Sequence, residues 1–235
     1  HMYNVMTGKN ITINTETPAG EKARAAGNEV ARKIANEGIV LMKNEDRSLP
    51  LDDKTVNVFG TASFDFRYGG GGSGGIDTSE AVNLFDGLKN AGIEYNKQLY
   101  QFYTELDEVK ALQKQKNENG LTQVLKSMVS GTDKDEPNVS YLKDNVLKQA
   151  KDYSDNAVVL LTSSGVESSD MSEEQLRLTA NKKALIKKVA ENFENVTIVV
   201  NAGNALELGY LKEFPQIKSI VWVGIPGPFG TEALG

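Results

Sequence analysis

Three continuous aliphatic runs constrain this chain more than any other feature. They are Ala157-Val158-Val159-Leu160-Leu161, Val196-Thr197-Ile198-Val199-Val200 and the stretch 218–223. None alternates apolar with polar residues, so each reads as a strand covered on both faces. Helical patterns over 172–193 and 205–213 separate them. Strand–helix–strand repetition calls for a parallel sheet with helices packed on both sides. The expected fold class is therefore α/β, a three-layer α/β/α sandwich with a mostly parallel sheet. A shorter strand is expected at Thr55–Phe59, with Gly60 allowing a sharp turn behind it. In such sheets ligands bind beyond the carboxyl ends of the strands.

The remaining segments are less regular. Residues 1–20 read as an extended lead-in, with His1-Met2 set aside as an expression-vector remnant. Ala23, Ala26, Val30 and Ile34 recur at helical spacing from Glu21 to Asn36, with Gly38 as a C-cap. Ser79 is placed to cap a helix running to about Asn90. Residues 91–96 read as helix exit, turn and strand. Residues 98–152 are rich in Lys, Gln, Glu and Asn and read as a helical insertion outside the core. The chain thus divides into a lead-in, 1–20, and one sandwich domain, 21–235, with an insertion at about 98–152. The closing residues 227–235 look like a loop and the first turn of a helix, as in a domain cut from a longer chain.

Composition removes several chemistries. There is no cysteine, so disulfides and thiolate metal sites are excluded, and the one histidine is His1. With that residue set aside, Ser-His-Asp and Cys-His catalysis and histidine-ligated zinc have no basis. Asp, Glu, Lys and Tyr remain for acid–base work. No cofactor and no metal are expected. The net charge of −6 argues against a nucleic-acid partner, and no run of about 18 apolar residues suggests a membrane partner. The compartment stays open between the cytoplasm, slightly favoured, and secretion.

Two loops carry candidate chemistry. The first is Arg67-Tyr68 followed by the glycine run 69–72, Ser73 and Gly74-Gly75. A glycine run permits close backbone approach to a ligand. It also fits a flexible linker or a phosphate cradle, although no Gly-Lys-Ser/Thr ending follows. The second is the loop 163–171, where Glu167 and Asp170 lie among small residues. Two neighbouring carboxyl groups can raise one pKa, as a general acid needs. Asp170 serves equally as an N-cap for a helix beginning near Ser172. Trp222 lies in a strand pattern and is assigned to core packing.

Taken in order, these pieces resemble the α/β sandwich domain of glycoside hydrolase family 3, the β-glucosidase and β-xylosidase family. The series runs Glu37-Gly38-Ile39-Val40-Leu41-Met42-Lys43-Asn44, Leu49-Pro50-Leu51, the strand to Gly60, the glycine loop, Glu167-Ser168-Ser169-Asp170 with Leu176-Arg177-Leu178, the strand to Asn201-Ala202-Gly203, and Gly224-Ile225-Pro226-Gly227. The resemblance implies a retaining, exo-acting β-glycosidase with Glu167 as general acid/base. Asp170, Arg67, Tyr68, Gly71, Gly72 and Ser73 would then line part of the substrate pocket. It also implies a catalytic barrel domain elsewhere in the same parent chain, bearing the nucleophile. The substrate would be a β-linked oligosaccharide or an aryl β-glycoside, and this domain alone would be inactive. The sequence departs from the family's Glu-Gly-x-Asp-Arg pattern, with Ser168 for the glycine and Met171 for the arginine, and Val166 stands between Gly165 and Glu167. Glu173 and Glu174 stay open as alternatives for the acid. From the residues alone, a non-catalytic carbohydrate-binding module and a nucleotide- or phosphate-binding doubly wound domain are the competing readings.

Overall fold

A computed structural model of the chain describes residues 17–70, 74–116, 135–163, 165 and 170–235. Its centre is a six-stranded sheet. The strands are β1 (Val40–Asn44), β2 (Thr55–Phe59), β3 (Glu94–Tyr95), β4 (Asn156–Ser163), β5 (Asn195–Ala202) and β6 (Ile217–Trp222), in the spatial order β1-β6-β5-β4-β2-β3. All neighbours are parallel except the edge strand β1, which runs antiparallel to β6 with a register shift between Leu41 and Lys43.

Seven α-helices fall among the described residues: α1 (Pro18–Gly38), α2 (Leu84–Asn90), α3 (Lys97–Thr104), α4 (Asp107–Lys116), α5 (Asp144–Tyr153), α6 (Ala180–Ala190) and α7 (Gly230–Leu234). The central strands send alternate residues to opposite faces, and both faces are apolar, as continuous aliphatic runs require. Val159 and Leu161 of β4 and Ile198 and Val200 of β5 join Leu99, Tyr103, Leu147, Leu185 and Ile186 in one core. Leu160, Val199 and Val221 join Val56, Val58, Leu84, Phe85 and Leu88 in the other. The result is a three-layer α/β/α sandwich.

Several local expectations need correction. The described parts of 98–152 are not outside the core: Leu99, Tyr103, Leu142, Leu147 and Ala150 are all buried. The helix expected over 172–193 is only Ala180–Ala190, capped by Thr179, whose side chain accepts from the Lys182 N–H. The helix expected over 205–213 is only the 3₁₀ turn Gly209–Glu213. These two differences share one cause. Arg177 and Glu207 form a parallel bridge, with the Glu207 N–H donating to the Leu176 carbonyl at 2.7 Å, which a helix running through either residue would not allow. Asn83, rather than Ser79, caps α2, and Ile39 rather than Gly38 is the C-cap of α1.

Helix α1 forms as its periodicity predicts, yet Val30 and Ile34 stay exposed and only Ala35 is buried. The helix docks through a different residue. The Arg32 guanidinium lies 4.0 Å over the Phe229 ring, and its Nε meets Glu232 at 3.1 Å, which clamps α1 to α7. Helices α2 and α7 cross closely: a Cβ at Gly87 would come within 2.5 Å of the Thr231 carbonyl oxygen, so only glycine fits.

Candidate functional site

Several segments converge where β2, β4, β5 and β6 end. Behind β2, Gly60 adopts φ +98°, a conformation that favours glycine, and the chain turns through a 3₁₀ turn, Thr61–Phe64, toward Arg67. The turn is anchored by the buried Glu136, whose carboxylate accepts the Thr61 N–H at 2.9 Å, the Thr61 hydroxyl at 2.7 Å and the Tyr141 hydroxyl. Burial pushes the Glu136 pKa above the usual carboxylate range, against the three hydrogen bonds that lower it. Tyr103, fully buried, accepts the Gly60 N–H at 2.9 Å and sits 3.3 Å from the Tyr141 hydroxyl. Beside Glu136, Asp135 accepts from the Thr179 hydroxyl at 2.6 Å, so these two neighbouring carboxylates bind both the β2 turn and the start of α6.

Arg67 and Tyr68 are half-buried at this edge. The Arg67 guanidinium lies 3.4 Å from the Asp65 carboxylate. The Tyr68 hydroxyl donates to the Val82 carbonyl at 2.7 Å, and burial, aided by Asp65 and Asp86, pushes its pKa up to about 12. It is therefore a neutral donor and an apolar ring at neutral pH, not a base. Among the described residues after Gly70, the first α-helix is α2, which begins at Leu84. Gly71, Gly72 and Ser73 lie outside the described residues.

Behind β4, Ser163 is buried, and its Oγ accepts from Asn204 Nδ2 at 3.0 Å. Lys182, also buried, donates from Nζ to the Thr162 carbonyl at 2.6 Å and steadies the strand end. Gly165 and Met171 approach each other: a Cβ at 165 would lie 3.1 Å from the Met171 sulfur. Glu167 lies outside the described residues, between these two points. Asp170 is exposed. No helix begins at Ser172, and the 3₁₀ turn Glu174–Leu176 starts without a side-chain cap, so the capping role for Asp170 does not hold. Glu173 is exposed and tied to Arg177. The pKa of Glu174 is lowered by its own backbone N–H and by Ser172. Leu178 completes the Leu-x-Leu run by entering the core. Trp222 packs against the core, as expected for its strand.

Two polar residues at this edge went unread in the sequence. Asn201, with no exposed surface, bonds to both backbone polar groups of Arg67 and to Gly224. Asn204 bonds across to β4. The available signal was a polar amide closing an otherwise aliphatic strand. Among the described residues no cluster of three or more Asp, Glu or His side chains could hold a metal, and no helix is long and apolar enough to cross a membrane.

Residues 39–235 match the family model of the glycosyl hydrolase family 3 C-terminal domain. The chain belongs to this family. It is 30% identical over 209 residues to a β-glucosidase of Ruminococcus albus, a match covering 86% of the chain and 21% of that protein. It is 28% identical to β-glucosidase A of Butyrivibrio fibrisolvens, over 87% of the chain and 26% of that protein. Among solved structures, the β-glucosidase of Paenibacillus barengoltzii superposes with a TM-score of 0.72 at 25% identity, covering 88% of the chain and 22% of its own. β-Glucosidase 3B of Thermotoga neapolitana, solved with α-D-glucose, has a TM-score of 0.71 at 22% identity, over 93% of the chain and 29% of its own, a likeness of fold. This family 3 domain spans about a fifth to a quarter of the curated relatives it matches.

Proposed function

We propose that this chain is the sandwich side of the active site in a retaining, exo-acting β-glycosidase of β-glucosidase type, completed by a barrel domain of the same parent protein. Glu167 is the general acid/base: it protonates the leaving glycosidic oxygen and later takes a proton from water. Asp170, Arg67, Tyr68, Gly71, Gly72 and Ser73 meet the sugar. The barrel brings the nucleophilic carboxylate, and the substrate is an aryl β-glycoside or a terminal β-linked sugar. The observation that carries this reading is convergence. The Arg67-Tyr68 segment and both described ends of the Glu167 loop lie at one carboxyl edge, in a chain similar to proteins named β-glucosidase from Ruminococcus albus and Butyrivibrio fibrisolvens.

The test is hydrolysis of aryl β-glucoside and β-xyloside by the parent protein, wild type beside Glu167→Ala. The variant is expected to lose about 10²–10⁴ in rate on a poor leaving group and to recover with added azide. The isolated chain is expected to hydrolyse little or nothing. Undiminished activity in the variant would move the acid to Glu173, Glu174 or another domain.

A further inference from the structure

At the carboxyl edge a strand runs out of ladder partners, and the segments that leave it must be held by something else. For Arg67 that holder is one side chain. Asn201 Oδ1 accepts the Arg67 N–H at 2.6 Å, and Asn201 Nδ2 donates to the Arg67 carbonyl at 3.0 Å. The same Nδ2 donates to the Gly224 carbonyl at 2.7 Å, where Gly224 has φ +69°. The amide thus imitates a peptide of a neighbouring strand. It fixes the root of Arg67 against β5 and ties both to the segment behind β6. The next residue is held from two further sides, through its carbonyl by the Gly227 N–H at 3.0 Å and through its hydroxyl by Val82. Asn201 has no exposed surface, so water cannot substitute for the lost bonds when it is changed.

We propose that Asn201 is a positioning residue for the sugar. It sets the root of Arg67 so that the guanidinium, beside the Asp65 carboxylate, meets neighbouring hydroxyls of the pyranose. Paired N–H donors in a rigid plane suit two adjacent oxygens, provided their origin does not drift. Neither obvious replacement keeps this geometry. Aspartate would turn a carboxylate oxygen toward the carbonyls of Arg67 and Gly224, and alanine would leave three backbone groups without the amide. The inference rests on the reading, made above, that Arg67 contacts substrate.

The experiment is a double-mutant cycle in the parent protein with 4-nitrophenyl β-glucoside, together with glucose binding by calorimetry. N201D is expected to lower kcat/KM about tenfold or more, chiefly through KM, with glucose binding weakened in parallel. In an R67A background, N201D is expected to add less than about twofold, because the amide acts through a side chain already removed. If N201D does not fold, N201S, which keeps a small buried hydroxyl, enters the same cycle with the same expectation. Additive losses, a lowered melting temperature with unchanged KM, or an R67A variant as active as wild type would each overturn the role of Asn201. A wild-type parent that neither cleaves the glucoside nor binds glucose would instead bring down the proposed function, and this inference with it.

Discussion

The sheet holds two fully buried asparagines, and they are used in opposite ways. Asn57 of β2 serves the amino-terminal side. Its Nδ2 donates to the carbonyls of Ala150 at 2.9 Å and Ser154 at 2.8 Å, and its Oδ1 accepts from Asn96. Asn96 in turn caps α3. The partners of Asn57 are helix ends and their turns, with a longer 3.4 Å contact to the Asn156 carbonyl at the start of β4, and the amide closes the fold. Asn201 of β5 serves the carboxyl side, where its partners are Arg67 and Gly224, in segments that belong to no helix or strand. The same chemistry secures architecture at one edge and aims a loop at the other. Stability and activity should therefore separate between the two edges.

The largest expected effect on stability is at the amino edge. N57A removes the buried amide that serves the Ala150 and Ser154 carbonyls and the Asn96 amide, leaving Ala150 only its bond from the Ser154 N–H, and should cost roughly 2–4 kcal/mol. Urea unfolding of the chain measures this. In the parent protein kcat/KM should stay near wild type, and a matching fall in kcat/KM would break the contrast.

Glu136 sharpens it, because it is an architectural group placed at the carboxyl edge. Its pKa is raised from 4.5 in the fold, chiefly by burial. A raised acid gives stability that is present in full below its unfolded pKa and lost as pH rises through its folded pKa. The wild-type urea midpoint should therefore fall as pH climbs above about 4.5 and then level off. E136Q keeps an acceptor for Thr61 and removes the titration, so that part of the pH slope should vanish. Equal slopes in the two proteins would place the pH dependence elsewhere.

The smallest effect is the control. Lys148 and Asp152 form a 2.8 Å ion pair on the exposed face of α5, the helix whose end Asn57 holds. D152A should cost less than about 0.5 kcal/mol by urea unfolding. A cost approaching that of N57A would mean that surface charge, not the buried amide, secures this edge.

Much of the fold was legible because both faces of the central strands are apolar. The run expected over 157–162 is Asn156–Ser163, and that over 196–201 is Asn195–Ala202. Local propensity failed where a tertiary contact overrode it. The Arg177–Glu207 bridge removed one helix and shortened another, and no periodicity within either segment announces a partner thirty positions away. Composition misled at the two described flanks of 98–152, where Leu99, Tyr103, Leu142 and Leu147 enter the core from among polar neighbours. The site was legible in part. Arg67 and Tyr68 do lie at the carboxyl edge, but the amide that holds them is one polar letter at the end of an aliphatic run. Its meaning depends on a segment 134 positions earlier in the chain.

The clamp between α1 and α7 also sets an order of events during synthesis. Arg32 emerges early, and its partners Phe229 and Glu232 emerge some 200 positions later. All six strands have by then been translated. A growing chain can assemble its sheet before the Arg32 clamp closes on α7.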